Sequence, residues 1–190
     1  DQGQDDYGLA HGLQQRGGLV CVITPGADAV ASIRAARPSH VVFISPSGER
    51  DLHRAIDRGL HRLLDWVRAL GEHPADVSLT LLTQDVLDVT GAEPLDASQA
   101  PSIGALKVAQ YEYPHIRCRH IDLSAASSAT TLIDELCSTN QDVSVAYRGG
   151  QRWLPGLAAA TIPPTAPPFR EGGTYLLSGG FGGVGLTLGR

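Results

Sequence analysis

Five short apolar runs, separated by stretches with helical spacing, constrain this chain more than any other feature. They lie at 19–24 (LVCVIT), 40–44 (HVVFI), 77–82 (VSLTLL), 117–123 (RCRHIDL) and 143–147 (VSVAY). Runs as continuous as the first two suit parallel strands covered on both faces. Between them, residues 51–70 place Leu52, Ile56, Leu60, Leu63, Leu64, Val67 and Leu70 on one helical stripe, with Gly71 near its C-terminal end. Further helices are expected over 7–16, over 27–36 before Pro38, over 98–113 before Pro114, and over 128–137. Strand and helix alternate, which is the pattern of an α/β fold on a doubly wound parallel sheet. Residues 151–157 follow a Gly149-Gly150 turn and read as extended. Pro163, Pro164, Pro167 and Pro168 then make 158–170 a semi-rigid linker.

The remaining bulk properties narrow the function classes. A chain of 190 residues with 42% hydrophobic and 18% charged residues can bury one sizeable core. Its net charge of −5 disfavours nucleic acid and anionic membranes as partners. No apolar run reaches the roughly 18 residues of a membrane span, and no basic-then-apolar leader opens the chain. A cytoplasmic location is expected. Cys21, Cys118 and Cys137 lack CxxC spacing; Cys21 and Cys118 fall inside expected strands, where a buried small hydrophobe is the ordinary role. The sequence contains no methionine, which suits a piece of a longer polypeptide.

One motif carries chemistry. After 173–178 (GTYLLS), expected as a buried strand, comes Gly180-Phe181-Gly182-Gly183-Val184-Gly185, a GxGxxG opening a helix. Glycines there let the backbone turn tightly and approach a pyrophosphate, while helix N-terminal amides face its charge. The ribose selector of such a site lies roughly 20 residues further on. The earlier strand-turn, 23–28 (ITPGAD), has one glycine, a proline that removes an amide, and Asp28 to repel phosphate. It has the Rossmann shape without the phosphate chemistry. His115, Cys118 and His120 do not converge as metal ligands on this spacing, so no metal site is expected. His53 and His61 read as solvated helix residues. Ser124, Ser127 and Ser128 read as a helix start. No nucleophile–base pair emerges, and no catalytic residue is assigned.

Three stretches together resemble the ketoreductase domain of modular (type I) polyketide synthases: 104–123 (GALKVAQYEYPHIRCRHIDL), 146–155 (AYRGGQRWLP) and 172–185 (GGTYLLSGGFGGVG). The resemblance implies an N-terminal structural subdomain over 1–157, a Pro-rich linker over 158–171, and the beginning of a short-chain-dehydrogenase catalytic subdomain over 172–190. In that family the first Rossmann-like half has lost cofactor binding and braces the second. The second binds NADPH and reduces a β-ketoacyl group tethered to an acyl carrier protein. The matching positions Ser178, Gly179, Gly180, Phe181, Gly182, Gly183, Val184 and Gly185 would line the NADPH pyrophosphate. The family's Ser, Tyr and Lys or Asn catalytic residues would lie beyond Arg190, and its opening strand before Asp1. The resemblance therefore implies an inactive chain that binds no NADPH alone. Its partners would be the catalytic half, neighbouring synthase domains and the carrier protein. A truncated pseudo-ketoreductase serving as a scaffold between synthase domains is the alternative. A stand-alone nucleotide-binding protein of doubly wound type is the third reading.

Overall fold

A computed structural model of the chain describes residues 8–23, 29–140, 142–161 and 169–189. The chain divides into two compact units, Asp1–Gly156 and Leu157–Arg190. The first is built on a five-stranded sheet in the order β1 (His40–Ile44), β2 (Val77–Gln84), β3 (Ile116–Leu123), β4 (Ser144–Arg148), β5 (Gln151–Trp153). The first four are parallel; β5 folds back antiparallel on β4. Gly149 and Gly150 make that reversal at φ +56° and +76°, in the left-handed region that glycine enters without a Cβ penalty.

Helices cover both sheet faces, as the continuous apolar runs require. On one face α2 (Ala29–Ala36), α4 (Arg62–Gly71) and α5 (Ala100–Glu112) pack Ile33, Leu63, Leu70 and Leu106 against Phe43, Leu79, Leu81 and Ile116. On the other, α1 (Leu9–Gln15) and α6 (Ala129–Cys137) pack Leu9, Leu132 and Ile133 against Leu82, Ile121, Leu123 and Val145. Ser128 caps α6 by accepting the Thr131 N–H at 3.1 Å. The helix expected over 51–70 forms as α3 (Leu52–Ile56), a π-helical turn at Asp57–His61, and α4. Asp51 caps its start by accepting the Arg54 N–H. Gly59 sits in the π turn, where a Cβ would meet the Ser102 hydroxyl at 3.4 Å. No described helix is long and apolar enough to cross a membrane.

The run at 19–24 departs from its expectation. Residues 18–23 form no strand, Leu19 is fully exposed and Cys21 is exposed as well. Apolar character alone does not make a strand, because the backbone groups also need a hydrogen-bonded neighbour. The described sheet ends at β1, and no described strand pairs with 18–23. The turn read at 23–28 lies, beyond Ile23, outside the described residues.

In the second unit, 173–177 likewise forms no strand, and Leu176 is fully exposed. This corrects the expectation of a buried strand, for the same reason: no described strand of that unit lies beside it. Tyr175 instead turns back on its own segment. Its ring packs edge-to-face on Phe169 at 4.9 Å, and its hydroxyl accepts the Arg170 N–H at 2.6 Å. Most of the proline cluster, 162–168, is outside the described residues.

Candidate functional site: a glycine turn and a closed sheet end

The glycine motif forms a compact turn leading into α7 (Gly183–Leu188). Ser178 to Phe181 turn, with Gly179 at φ +76°. The Gly182 N–H donates to the Gly179 carbonyl at 3.0 Å, and the Leu186 N–H to that of Gly182 at 2.9 Å. A Cβ on Gly185 would lie 2.5 Å from the Gly179 oxygen and 2.6 Å from the Gly180 Cα. Only glycine permits that closure of helix onto turn. Phe181 and Val184 are both exposed. The eight residues expected at the site are thus contiguous in one turn.

The first unit closes its own sheet end. Open α/β sheets bind ligands outside the carboxyl ends of their strands, where strand order reverses. Here β1 to β4 follow sequence order without reversal, and their carboxyl ends hold a buried polar cluster. Asp122, 0% exposed, accepts the N–H groups of Val86 (3.2 Å) and Leu87 (2.9 Å) and the Thr83 hydroxyl. Arg148, also buried, pairs with Asp122 at 2.5 Å and donates to the carbonyls of Leu87 (2.8 Å) and Tyr147 (2.9 Å). Its Nε lies 3.3 Å from the Glu93 carboxylate. Although burial pushes the Glu93 carboxyl up, donors from Thr90 and Ala92 hold it down at about 2. Gln99 bonds both backbone groups of Gln84 and the Asp96 carboxylate. The loop between β2 and α5 is therefore fastened over the strand ends.

His120 lies within this cluster, with Nε2 2.9 Å from the Thr83 hydroxyl and Nδ1 3.4 Å from that of Ser144. Burial lowers it to about 4, so it is neutral at pH 7. Thr83 gives its proton to Asp122 and faces His120 with its lone pairs. Asp122 orients the threonine rather than the imidazole, so the trio is not a nucleophile–base–orienter line. Cys118 is buried on β3, and that burial raises its thiol to about 11. His115 donates from Nε2 to the Leu70 carbonyl at 3.1 Å, apart from His120. No group of three metal-ligating side chains occurs among the described residues.

A second buried cluster sits around α6. Its Glu135 pairs with Arg119 and with Arg152 (2.9 Å), and accepts the Tyr147 hydroxyl at 2.5 Å. Burial raises this carboxyl, but the bonds from Arg152 and Tyr147, with the Arg119 charge, hold it at about 2. Burial and the Glu135 carboxylate push Tyr147 up to about 12. Sequence reading missed both clusters. The one available signal was charged residues inside strand runs: Arg119, Asp122 and Arg148 interrupt apolar patterns and so need partners.

Residues 8–157 match the family model described as the Rossmann fold domain of the polyketide synthase extender module SpnB. The chain belongs to this family. Similar curated proteins are multidomain synthases. One is a phenolphthiocerol/phthiocerol polyketide synthase of Mycobacterium tuberculosis, 31% identical over 125 residues, covering 62% of this chain and 7% of that protein. Another is the erythronolide synthase EryA3 of Saccharopolyspora erythraea, 29% identical over 194 aligned positions, covering 96% of this chain and 6% of that protein. The chain thus spans a small fraction of either relative. Among solved structures, an adenylation, ketoreductase and pseudo-Asub multidomain structure of a keto acid-selecting NRPS module shares the fold. Its TM-score is 0.69 at 24% identity, over 83% of this chain and 15% of that one. The chain is therefore a Rossmann-fold subdomain of a polyketide synthase module.

Proposed function

We propose that this chain is the structural half of a polyketide synthase ketoreductase, whose complete domain reduces a β-ketoacyl group on an acyl carrier protein with NADPH. The observation that carries the reading is the closed sheet end. Where a nucleotide-binding half keeps a crevice, this one buries Asp122 against Arg148 under the 85–99 loop. A half built this way braces a neighbour. The division of labour is a structural subdomain over 1–157, a linker over 158–171, and the start of the catalytic subdomain at 172–190.

What supports a pyrophosphate site is the closure at Gly185, which leaves no room for a side chain where the helix meets the turn. Ser178 to Gly185 would hold the diphosphate of NADPH in the complete domain. When bound, NADPH supplies the hydride for carbonyl reduction. The residues of this chain position the turn and present donors to the diphosphate. Neighbouring synthase domains and the carrier protein with its acyl thioester are the partners, in the cytoplasm.

The test compares three proteins on a β-ketoacyl thioester surrogate with NADPH: residues 1–190, the chain extended through its downstream half, and that extended chain lacking 8–157. Only the extended chain with 8–157 should turn over. Equal activity without 8–157 would refute the bracing role, and activity of residues 1–190 alone would refute the division of labour.

A further inference from the structure

An arginine has five N–H donors, and Arg148 commits four of them. Nη1 donates to the carbonyls of Asp122 and Tyr147, and Nη2 to the Leu87 carbonyl and the Asp122 carboxylate. The fifth, on Nε, is buried and makes no hydrogen bond among the described residues. A carboxylate nevertheless stands before it: Oε1 of Glu93, at 3.3 Å. The Glu93 side chain is only 6% exposed, and its two oxygens gather donors from one short loop. Oε1 accepts the N–H groups of Val89 (3.3 Å) and Thr90 (2.9 Å) and the Thr90 hydroxyl (3.1 Å). Oε2 accepts the Ala92 N–H at 3.1 Å and shares that of Thr90. Between them Gly91, at φ +81°, bends the loop so that amides on both sides converge; Asp88 takes its own N–H at 2.9 Å. Backbone N–H groups converging in a turn make an anion-binding concavity.

We propose that the amides of Val89, Thr90 and Ala92, the Thr90 hydroxyl and Arg148 Nε form a carboxylate receptor at the strand ends, which Glu93 fills as a tethered ligand and so shuts against free anions. The ligand class follows from the donors. Each of these groups is an N–H or O–H, which suits an ion that only accepts, and they divide between the two oxygens of one planar group. A dianion such as phosphate is the worse occupant, because the Arg148 guanidinium already faces the Asp122 carboxylate and a further negative charge would be uncompensated. Tethering accounts for the present occupant. A group on the same loop competes at an effective concentration of about millimolar or above, so a scarcer free carboxylate does not displace it. The tether also holds the Glu93 carboxylate 3.3 Å from Nε, where that donor makes no hydrogen bond. A free carboxylate is not held there and can settle onto Nε as well as onto the loop amides.

Glu93→Ala tests this, because it removes a methylene and a carboxylate, the skeleton of acetate, and acetate is therefore the probe. Urea unfolding of the 190-residue chain is measured at pH 7 in acetate, phosphate or chloride of equal ionic strength. Wild type and Glu93→Gln, whose receptors are filled by a side chain, give the general salt effect. Beyond that effect, about 200 mM acetate should lower the unfolding constant of Glu93→Ala at least about threefold relative to chloride, as one-site linkage requires. Phosphate should do less. In the folded variant the Thr90 and Ala92 amide resonances should move saturably with acetate, and in wild type they should stay in place. If Glu93→Ala is unfolded in chloride, added sucrose, which is excluded from protein surfaces, restores the folded state for the same comparison. An equal acetate response in all three proteins would overturn the proposal. So would a larger excess with phosphate than with acetate, or Thr90 and Ala92 resonances that acetate does not move.

Discussion

Replacing Arg148 by methionine tests whether the closed sheet end holds the first unit together. The substitution keeps an unbranched chain of similar reach and removes the charge that faces Asp122, which is fully buried. It also removes donors to the Leu87 and Tyr147 carbonyls. Breaking a buried pair from one side typically costs about 3–5 kcal/mol, because the remaining charge stays desolvated. Asp122 keeps two amide donors and the Thr83 hydroxyl, which places the loss toward the lower end, about 3 kcal/mol. For a unit of this size that corresponds to a melting shift of roughly 6–12 °C. Urea unfolding followed by far-UV circular dichroism measures it. The double variant Arg148→Met/Asp122→Asn should recover part of the loss, since Asp122 then strands no charge, while Glu93 loses Arg148 in both variants. A single-variant cost below about 1 kcal/mol, well under the range for a stranded buried charge, would refute the reasoning. Costs that simply add in the double variant would refute it too.

Glu135 sets an acid limit on stability. Its carboxyl sits at about 2 in the folded unit against an ordinary 4.5, so its contribution is complete above about pH 4.5 and is lost as pH falls toward 2. Unfolding free energies measured from pH 7 to pH 2 should drop through that window, and Glu135→Gln should flatten the drop. The thiols should separate: Cys21 and Cys137 are exposed and should react promptly with a disulfide reagent, while Cys118 should react only on unfolding. A third fast thiol in the native chain would contradict its burial. Gly185→Ala should open the glycine turn, because its Cβ would meet the Gly179 oxygen at 2.5 Å. In the downstream-extended chain it should weaken NADPH binding at least about tenfold, read by nicotinamide fluorescence.

Much of the fold was legible because apolar spacing reports burial. The runs at 40–44 and 77–82, and the helices ended by Pro38 and Pro114, stand in the structure within a few residues of their expected bounds. The π turn at Asp57–His61 was not legible, since Leu52, Ile56, Leu60 and Leu64 keep an unbroken i, i+4 spacing across it, which reads as one continuous helix. The segments 19–23 and 173–177 have strand composition, but pairing is a property of neighbours. At the candidate site, the glycine turn was readable because glycine spacing encodes backbone closure directly. The Asp122–Arg148 and Glu135–Arg152 clusters were not, because their members are separated by 26 and 17 positions. Their meeting depends on strand register, and β3 against β4 sets Asp122 beside Ala146, two residues before Arg148.

Titration of NADPH into residues 1–190, in parallel with the downstream-extended chain, tests the central claim most directly. The turn offers backbone contacts alone, against an association cost of at least about 4 kcal/mol. Saturable binding is expected for the extended chain and none for residues 1–190. Tight binding to the short chain, abolished by Gly182→Val, would contradict the account by placing a finished cofactor pocket within these residues.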